Sequence, residues 1–265
     1  MYAFKFHKPA STQDAASLYA GADDARYLAG GHTLLPSMKL RLAGPSDIID
    51  LSGVESLKGI KVDADKVTIG AATRHNDVAL SAEVRSAIPA LADLAGGIGD
   101  FQVRNRGTIG GSIANADPSA DYPAAVVGLG ATVHTNKREI AGNDFFTGMF
   151  ETALEDGEIV TAVSFPRPKR AAYMKFPNPA SRYAVVGVMV AETAAGIRVA
   201  VTGAAASVFR IPEMEQALSA SFSPDAIAGI TVPADNMNSD IHAAADYRAH
   251  LVSVMAKRAV AKAAG

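Results

Sequence analysis

Two glycines inside RNRGTIGGSIANADPSAD, residues 104–121, constrain this chain more than any other feature. Gly110 and Gly111 stand between Thr108 and Ser112, and a carboxylate, Asp121, follows shortly after. Backbone without Cβ atoms lets a bulky anion come close, and the flanking hydroxyls suit a pyrophosphate. A carboxylate set away from the phosphates suits sugar hydroxyls, which donate to it. The same residues also fit a plain bulge under a sheet, with Asp121 only complementing a helix dipole. A second pair, Gly30–Gly31 in AGGHTLLPSMKLRL, residues 29–42, lies between a strand pattern and a helix pattern. Alone it reads either as a tight turn or as a second anion-facing loop. Together the two stretches suggest a dinucleotide gripped from two sides. No GxxxxGK[ST] is present, and no GxGxxG opens a helix in a plain βαβ unit, which argues against a P-loop or a Rossmann nicotinamide site.

The surrounding pattern is layered. Residues 3–6 read as a strand, and STQDAASLYAG reads as a helix capped by Ser11 or Thr12 and ending near Gly21. RYLAGG and SDIIDLS read as strands on either side of a helix in TLLPSMKLRL, which completes a βαβαβ opening. SLKGIKVDADKVTIGA then predicts a hairpin turning at DADK. Thr73 and Asn76 predict the cap of a helix through DVALS, with His75, Asn76 and Asp77 as a helix start rather than a triad. EVRSAIPALADLAGG predicts a continuing helix stopped by Gly96 and Gly97. Asp117, with Pro118 behind it, predicts the start of a helix through DPSADYPAAVVGLGA. ATVHTNKREI reads as a hairpin and GEIVTAVSFP as a strand. RPKR at 167–170 reads as a linker or domain edge, and a hairpin turning at TAAG follows. Two helices complete the chain, PEMEQALSA and a tail from about Asp240 to Ala263 with an apolar stripe that includes Ile241.

Composition excludes several functions. Lys and Arg number 25 against 27 Asp and Glu, with no basic block, so the electrostatic footprint of nucleic-acid or anionic-membrane binding is missing. No apolar run reaches the roughly 20 residues of a bilayer span, and the first residues lack the apolar core of a secretory signal. A cytoplasmic protein is the expectation. Cysteine is absent, so this chain can hold no thiolate-ligated iron–sulfur cluster. His242 and His250 have no third ligand within their pattern, and no metal site is expected.

AGGHTLLPSMKLR, IGDFQVRNRGTIGGSIANADPSADYPAA and YMKFPNPASRYAVVGV, in that order, resemble the FAD-binding medium subunit of molybdenum hydroxylases, the carbon monoxide dehydrogenase and xanthine dehydrogenase family. The likeness covers nearly the whole chain; the last residues match only by position and helix pattern. It implies an α+β fold with a two-part FAD-binding domain of the vanillyl-alcohol oxidase or p-cresol methylhydroxylase type. A small C-terminal domain with an antiparallel sheet and helices would follow. On that division residues 1–170 bind FAD, with subdomains of about 1–53 and 54–170, and residues 171–265 form the C-terminal domain.

The resemblance also implies site residues. Leu28, Ala29, Gly30, Gly31, His32, Thr33, Leu34 and Leu35 would wrap the pyrophosphate through backbone amides from one side. Thr108, Ile109, Gly110, Gly111 and Ser112 would do so from the other. Ile98 would lie near the flavin ring, Asp121 would contact FAD hydroxyls, and Val160 and Lys175 would add further contacts. Some relatives in the wider fold bond a loop histidine covalently to the flavin, but the subgroup resembled here holds FAD non-covalently. The His32 ring is therefore secondary to its backbone. The chain departs from the family pattern at Phe101, where proline is frequent, at Ser112, where Asn is common, and at Asn178 and Pro179.

The implied role is electron transfer, with no catalytic acid–base residue in this chain. A large partner subunit would carry the molybdenum cofactor and a small one the [2Fe–2S] clusters, assembled as a dimer of heterotrimers. Two other classes stay open on the residues alone: a stand-alone flavin oxidase or dehydrogenase with its own base, and a non-catalytic module with degenerate glycine loops. Arg104 and Arg106 are read either as holding their loop or as meeting a partner.

Overall fold

The computed structural model describes residues 1–265 and is an α+β protein built on three principal sheets. The first is parallel: strand Asp47–Asp50 lies between Lys5–His7 and Ala25–Leu28. Parallel neighbours need crossover connections, which the helices Thr12–Ala20 and Leu34–Lys39 supply. Ser11 caps the first of these, its side chain accepting from Asp14 N–H, and Gly21 ends it, both as expected from the sequence.

The second sheet is antiparallel, with spatial order Ile60–Val62, Lys66–Gly70, Val160–Pro166, Thr132–Thr135, Glu139–Ala141. Six short helices lie between residues 75 and 128, and all but the four-residue Phe101–Arg104 pack with this sheet around a core that includes Ile69, Leu91, Ile109, Tyr122 and Phe165. The third sheet pairs Arg170–Pro177, Ala184–Thr193, Gly196–Thr202 and Phe209–Arg210, all antiparallel. The run AVVGVMVA within Ala184–Thr193 is buried throughout because each face meets a different core. Val186, Val188 and Val190 join the core under the tail helix Ala245–Ala264, while Met189 and Ala191 join that of the second sheet. The third sheet is thereby welded to the rest. No helix is long and apolar enough to cross a membrane.

Several expectations shift. The first strand is Lys5–His7 rather than 3–6. The helix expected after DVALS is broken at Ile88 into Ala82–Ala87 and Pro89–Gly96, because Pro89 has no N–H to continue the first and starts the second instead. Thr73 and Asn76 do not cap. Thr73 Oγ1 accepts from Gly59 N–H and donates to its carbonyl, and the helix His75–Leu80 has Arg74 at its N-cap with no side-chain cap bond.

Asp117 caps only a turn, accepting from Ser119 N–H at 2.8 Å, and the helix starts at Tyr122. The reason lies far along the chain. Gly203 N–H and Thr202 Oγ1 donate to the Pro118 carbonyl, Ala184 N–H to that of Ser119, and Thr202 Oγ1 to that of Ala120. Carbonyls taken by the third sheet are not free to build a helical turn. The tail helix starts at Ala245, not Asp240. Asp240 instead accepts from the N–H groups of His242 and Ala243, which leaves Ile241 96% exposed and outside the apolar stripe.

Candidate cofactor cleft

A cleft of about 610 Å³ opens where the three sheets meet, within the size range of small-molecule and cofactor sites (~300–1,000 Å³). Residues 28–34 line one wall, at the carboxyl end of strand Ala25–Leu28. Thr108, Gly110, Gly111 and Ser112 line the opposite wall, and Ile98, Asp121 and Val160 complete it. Of the residues singled out from the sequence, three stand behind the wall. The Leu35 side chain lies over Gly31, Ile109 is fully buried in the second-sheet core, and Lys175 reaches around the wall from the third sheet.

The two glycine stretches touch. A Cβ on Gly30 would lie 2.5 Å from the Arg106 carbonyl oxygen and 2.7 Å from Gly107 Cα, and one on Gly111 3.3 Å from Ala29 Cβ. Gly31 has φ 78°, the left-handed region that glycine occupies without penalty. Their backbones nonetheless differ in what they offer. The N–H groups of residues 30–34 donate to no other atom of the protein, since the chain turns before the helical ladder begins and Thr33 makes no side-chain cap bond. Five consecutive unpaired donors on the wall of a cleft fit an anionic group that supplies the acceptors.

The second stretch is internally satisfied. Ile109 N–H donates to the Thr73 carbonyl, Gly110 N–H to that of Ala71, Ser112 N–H to that of Thr108, and Gly111 N–H to Thr108 Oγ1. Gly110 is needed for its close approach to Ala71, where a Cβ would come within 2.5 Å. This segment therefore meets the cleft with the Ser112 hydroxyl and the Thr108 N–H, neither of which is paired within the chain, and not with a run of amides.

Asp121 is buried, and its carboxylate is already engaged. The Tyr173 hydroxyl donates to it at 2.6 Å and Lys175 Nζ lies 2.9 Å away, while Lys175 also donates to the Gly97 carbonyl. Burial pushes the Asp121 carboxyl up from the usual carboxylate range, against the opposing pull of Lys175 and of the Tyr173 hydroxyl. Tyr173 reaches it only because position 187 is glycine; a methyl there would collide with the tyrosine hydroxyl.

Three further lining residues are not singled out by the sequence as part of the site, although His75 reads there as a helix start. His75 is buried at 5% exposure, its ring 5.4 Å from that of Tyr122, and its Nδ1 has no partner. Burial, then the neighbouring His32 and Arg104, push its pKa down to about 4, so it is neutral near pH 7. The only sequence signal for it is a histidine on the buried face of a helix. Arg182 and Tyr183 come from the turn between the strands Arg170–Pro177 and Ala184–Thr193. Asn178 builds that turn, accepting from Ala180 and Ser181 N–H and donating its own N–H to the Tyr183 carbonyl. The Asn-Pro pair is the signal that marks it. Phe101 is 59% exposed and does not line the cleft.

A cleft with a strip of free amides at one wall, the Ser112 hydroxyl and the Thr108 N–H at the other and no nucleophile–base pair defines a dinucleotide-binding α+β protein whose site binds and orients rather than attacks. Comparison with known proteins supports and narrows this. Residues 2–168 match the family model for the FAD binding domain in molybdopterin dehydrogenase, and the chain belongs to that family. It is 34% identical to the nicotine 6-hydroxylase medium subunit of Paenarthrobacter nicotinovorans, covering 98% of this chain and 97% of the relative. It is likewise 34% identical to the carbon monoxide dehydrogenase medium chain of Hydrogenophaga pseudoflava, covering 97% and 96%. A solved carbon monoxide dehydrogenase from that organism superposes with a TM-score of 0.88 at 35% identity, covering 98% and 96%. Quinoline 2-oxidoreductase from Pseudomonas putida 86 gives 0.89 at 29%, covering 99% and 97%.

Proposed function

We infer that this chain is the FAD-binding electron-transfer subunit of a heteromeric molybdenum-containing hydroxylase or dehydrogenase. The observation that carries the reading is the strip of five unpaired N–H groups facing the cleft, in a chain that matches medium subunits from end to end. When bound, FAD supplies the redox centre through which electrons from the partner's [2Fe–2S] clusters reach an external acceptor. The molybdenum cofactor and those clusters belong to the other subunits, and a chain without cysteine fits that division. The stand-alone oxidase is the weaker reading, because the matched relatives are themselves subunits.

Residues 30–34 hold the pyrophosphate non-covalently through their amides, and Thr108 and Ser112 close on it from the other wall. Ile98 and Val160 flank the ring. Asp121 acts less as an acceptor for sugar hydroxyls than as the anchor for Lys175 and Tyr173. Residues 1–170 form the FAD-binding domain and 171–265 the C-terminal one. A large molybdenum subunit and a small iron–sulfur subunit complete a cytoplasmic dimer of heterotrimers.

Purification of the native complex under gentle conditions tests this assignment. The chain is expected to co-purify with two other polypeptides, in a complex that contains molybdenum and iron, and to lose both metals when it is separated. A chain that purifies alone and turns over substrate without molybdenum contradicts it.

A further inference from the structure

The loop that carries Ile98 is held from behind by two cations drawn from different parts of the fold. Arg104, on the short helix Phe101–Arg104, donates through Nη1 to the Ile98 carbonyl at 2.9 Å and to the Gly99 carbonyl at 3.0 Å. Lys175, on the third-sheet strand Arg170–Pro177, donates to the Gly97 carbonyl at 2.8 Å and is itself fixed by buried Asp121. Three successive carbonyls are thus drawn onto positive charge, in charge-assisted bonds.

The amide side of the loop is left open. The N–H groups of residues 99–102 donate to nothing in the protein, and of these four residues only Gly99 lines the cleft. Gly99 has φ 47°, and a Cβ there would meet Val103 at 2.9 Å, so no other residue holds this conformation without strain.

We propose that Arg104 and Lys175 are positioning residues that aim the Gly99 N–H at the isoalloxazine ring as a hydrogen-bond donor. This rests on the reading that the cleft holds FAD with its ring at Ile98. The N1 edge and the carbonyl oxygens of the ring become more electron-rich on reduction, whereas N5 takes up a proton, so the Gly99 N–H donates to N1 or to a ring carbonyl and not to N5. A fixed donor therefore holds reduced FAD more tightly than oxidised FAD and raises the potential at which this subunit takes electrons. Arg104 is accordingly the residue that holds its loop, which settles one of the two roles open to it in the sequence.

Redox titration of the FAD-loaded full chain tests the proposal, with wild type compared against Arg104→Met and Arg104→Lys. In Arg104→Met, reduced FAD should weaken about tenfold more than oxidised FAD, which lowers the midpoint potential by about 30 mV at ~29.6 mV per decade for a two-electron couple. Arg104→Lys, which keeps a cation, should restore most of that shift. In wild type, amide exchange at Gly99 should slow at least about tenfold when FAD is loaded, a readout that needs no variant to fold. An Arg104→Met chain that binds FAD at an unchanged potential overturns the proposal alone, as does unchanged exchange at Gly99. A wild-type chain that takes up no FAD overturns the functional reading and the proposal together.

Discussion

Replacing Gly30 with alanine is expected to strip the protein of its FAD while leaving its fold in place. The added methyl would sit 2.5 Å from the Arg106 carbonyl oxygen and 2.7 Å from Gly107 Cα, both backbone atoms that cannot swing aside as a side chain can. The loop of residues 29–34 would have to lift away from residues 106–107, carrying with it the five unpaired N–H groups that face the cleft. Losing the alignment of two or three such donors to an anion removes about 3 kcal/mol, roughly a hundredfold in affinity. The loop is not part of a buried core cluster, so the melting temperature of the FAD-free protein should move little. Gly229→Ala is the control, because nothing lies within 4 Å of a Cβ there and its affinity should match wild type. Fluorescence titration with FAD, beside thermal melts of the FAD-free chains, reads both quantities. Unchanged FAD affinity in Gly30→Ala contradicts the role given to this loop.

Asp121→Ala should have the largest effect on stability. It removes the carboxylate on which the Tyr173 hydroxyl and the Lys175 ammonium converge, and the Lys175 side chain is only 10% exposed. An uncompensated buried charge costs about 3–5 kcal/mol when its partner is deleted. At ~2–4 °C per kcal/mol for a chain of this size, the melting temperature should fall by roughly 6–20 °C. The double variant Asp121→Leu with Lys175→Met removes both charges and should recover most of that loss; the cycle of single and double variants isolates the coupling. A single variant that melts like wild type, or a double variant no better than the single, contradicts the anchoring of Tyr173 and Lys175 by Asp121.

Much of the architecture was legible because it is encoded locally. Ser11 caps its helix, DADK and TAAG turn their hairpins, and the βαβαβ opening folds as its pattern indicates. What was not legible depends on partners distant in sequence. Asp117 and Pro118 carry the letters of a helix start, yet Thr202, Gly203 and Ala184 take the carbonyls that a first turn would need. Thr73 has the side chain of a cap but spends it on Gly59, another residue remote in sequence. The broken helix at Ile88 is different, for Pro89 announced it and the apolar pattern across the break masked it.

The site divides in the same way. Both glycine stretches were recognisable, and they do share one cleft. Their letters did not reveal that Gly110 serves an approach to Ala71 while Gly30 serves an approach to residues 106–107. Nor did they reveal that only the first stretch keeps its amides free, since that depends on Ala71 and Thr73 lying beside the second. Asp121 looks in sequence like a free acceptor. Only the third sheet, arriving with Tyr173 and Lys175, shows that each of its oxygens already accepts a hydrogen bond within the chain.

The most direct test of the central claim is an FAD titration of the full chain, followed by acid precipitation of the loaded protein. The arrangement of free amides at residues 30–34 predicts saturation at one FAD per chain, with all of the flavin released into the acid supernatant. A chain that takes up no FAD, or one whose flavin stays with the precipitate as a covalent adduct, contradicts it.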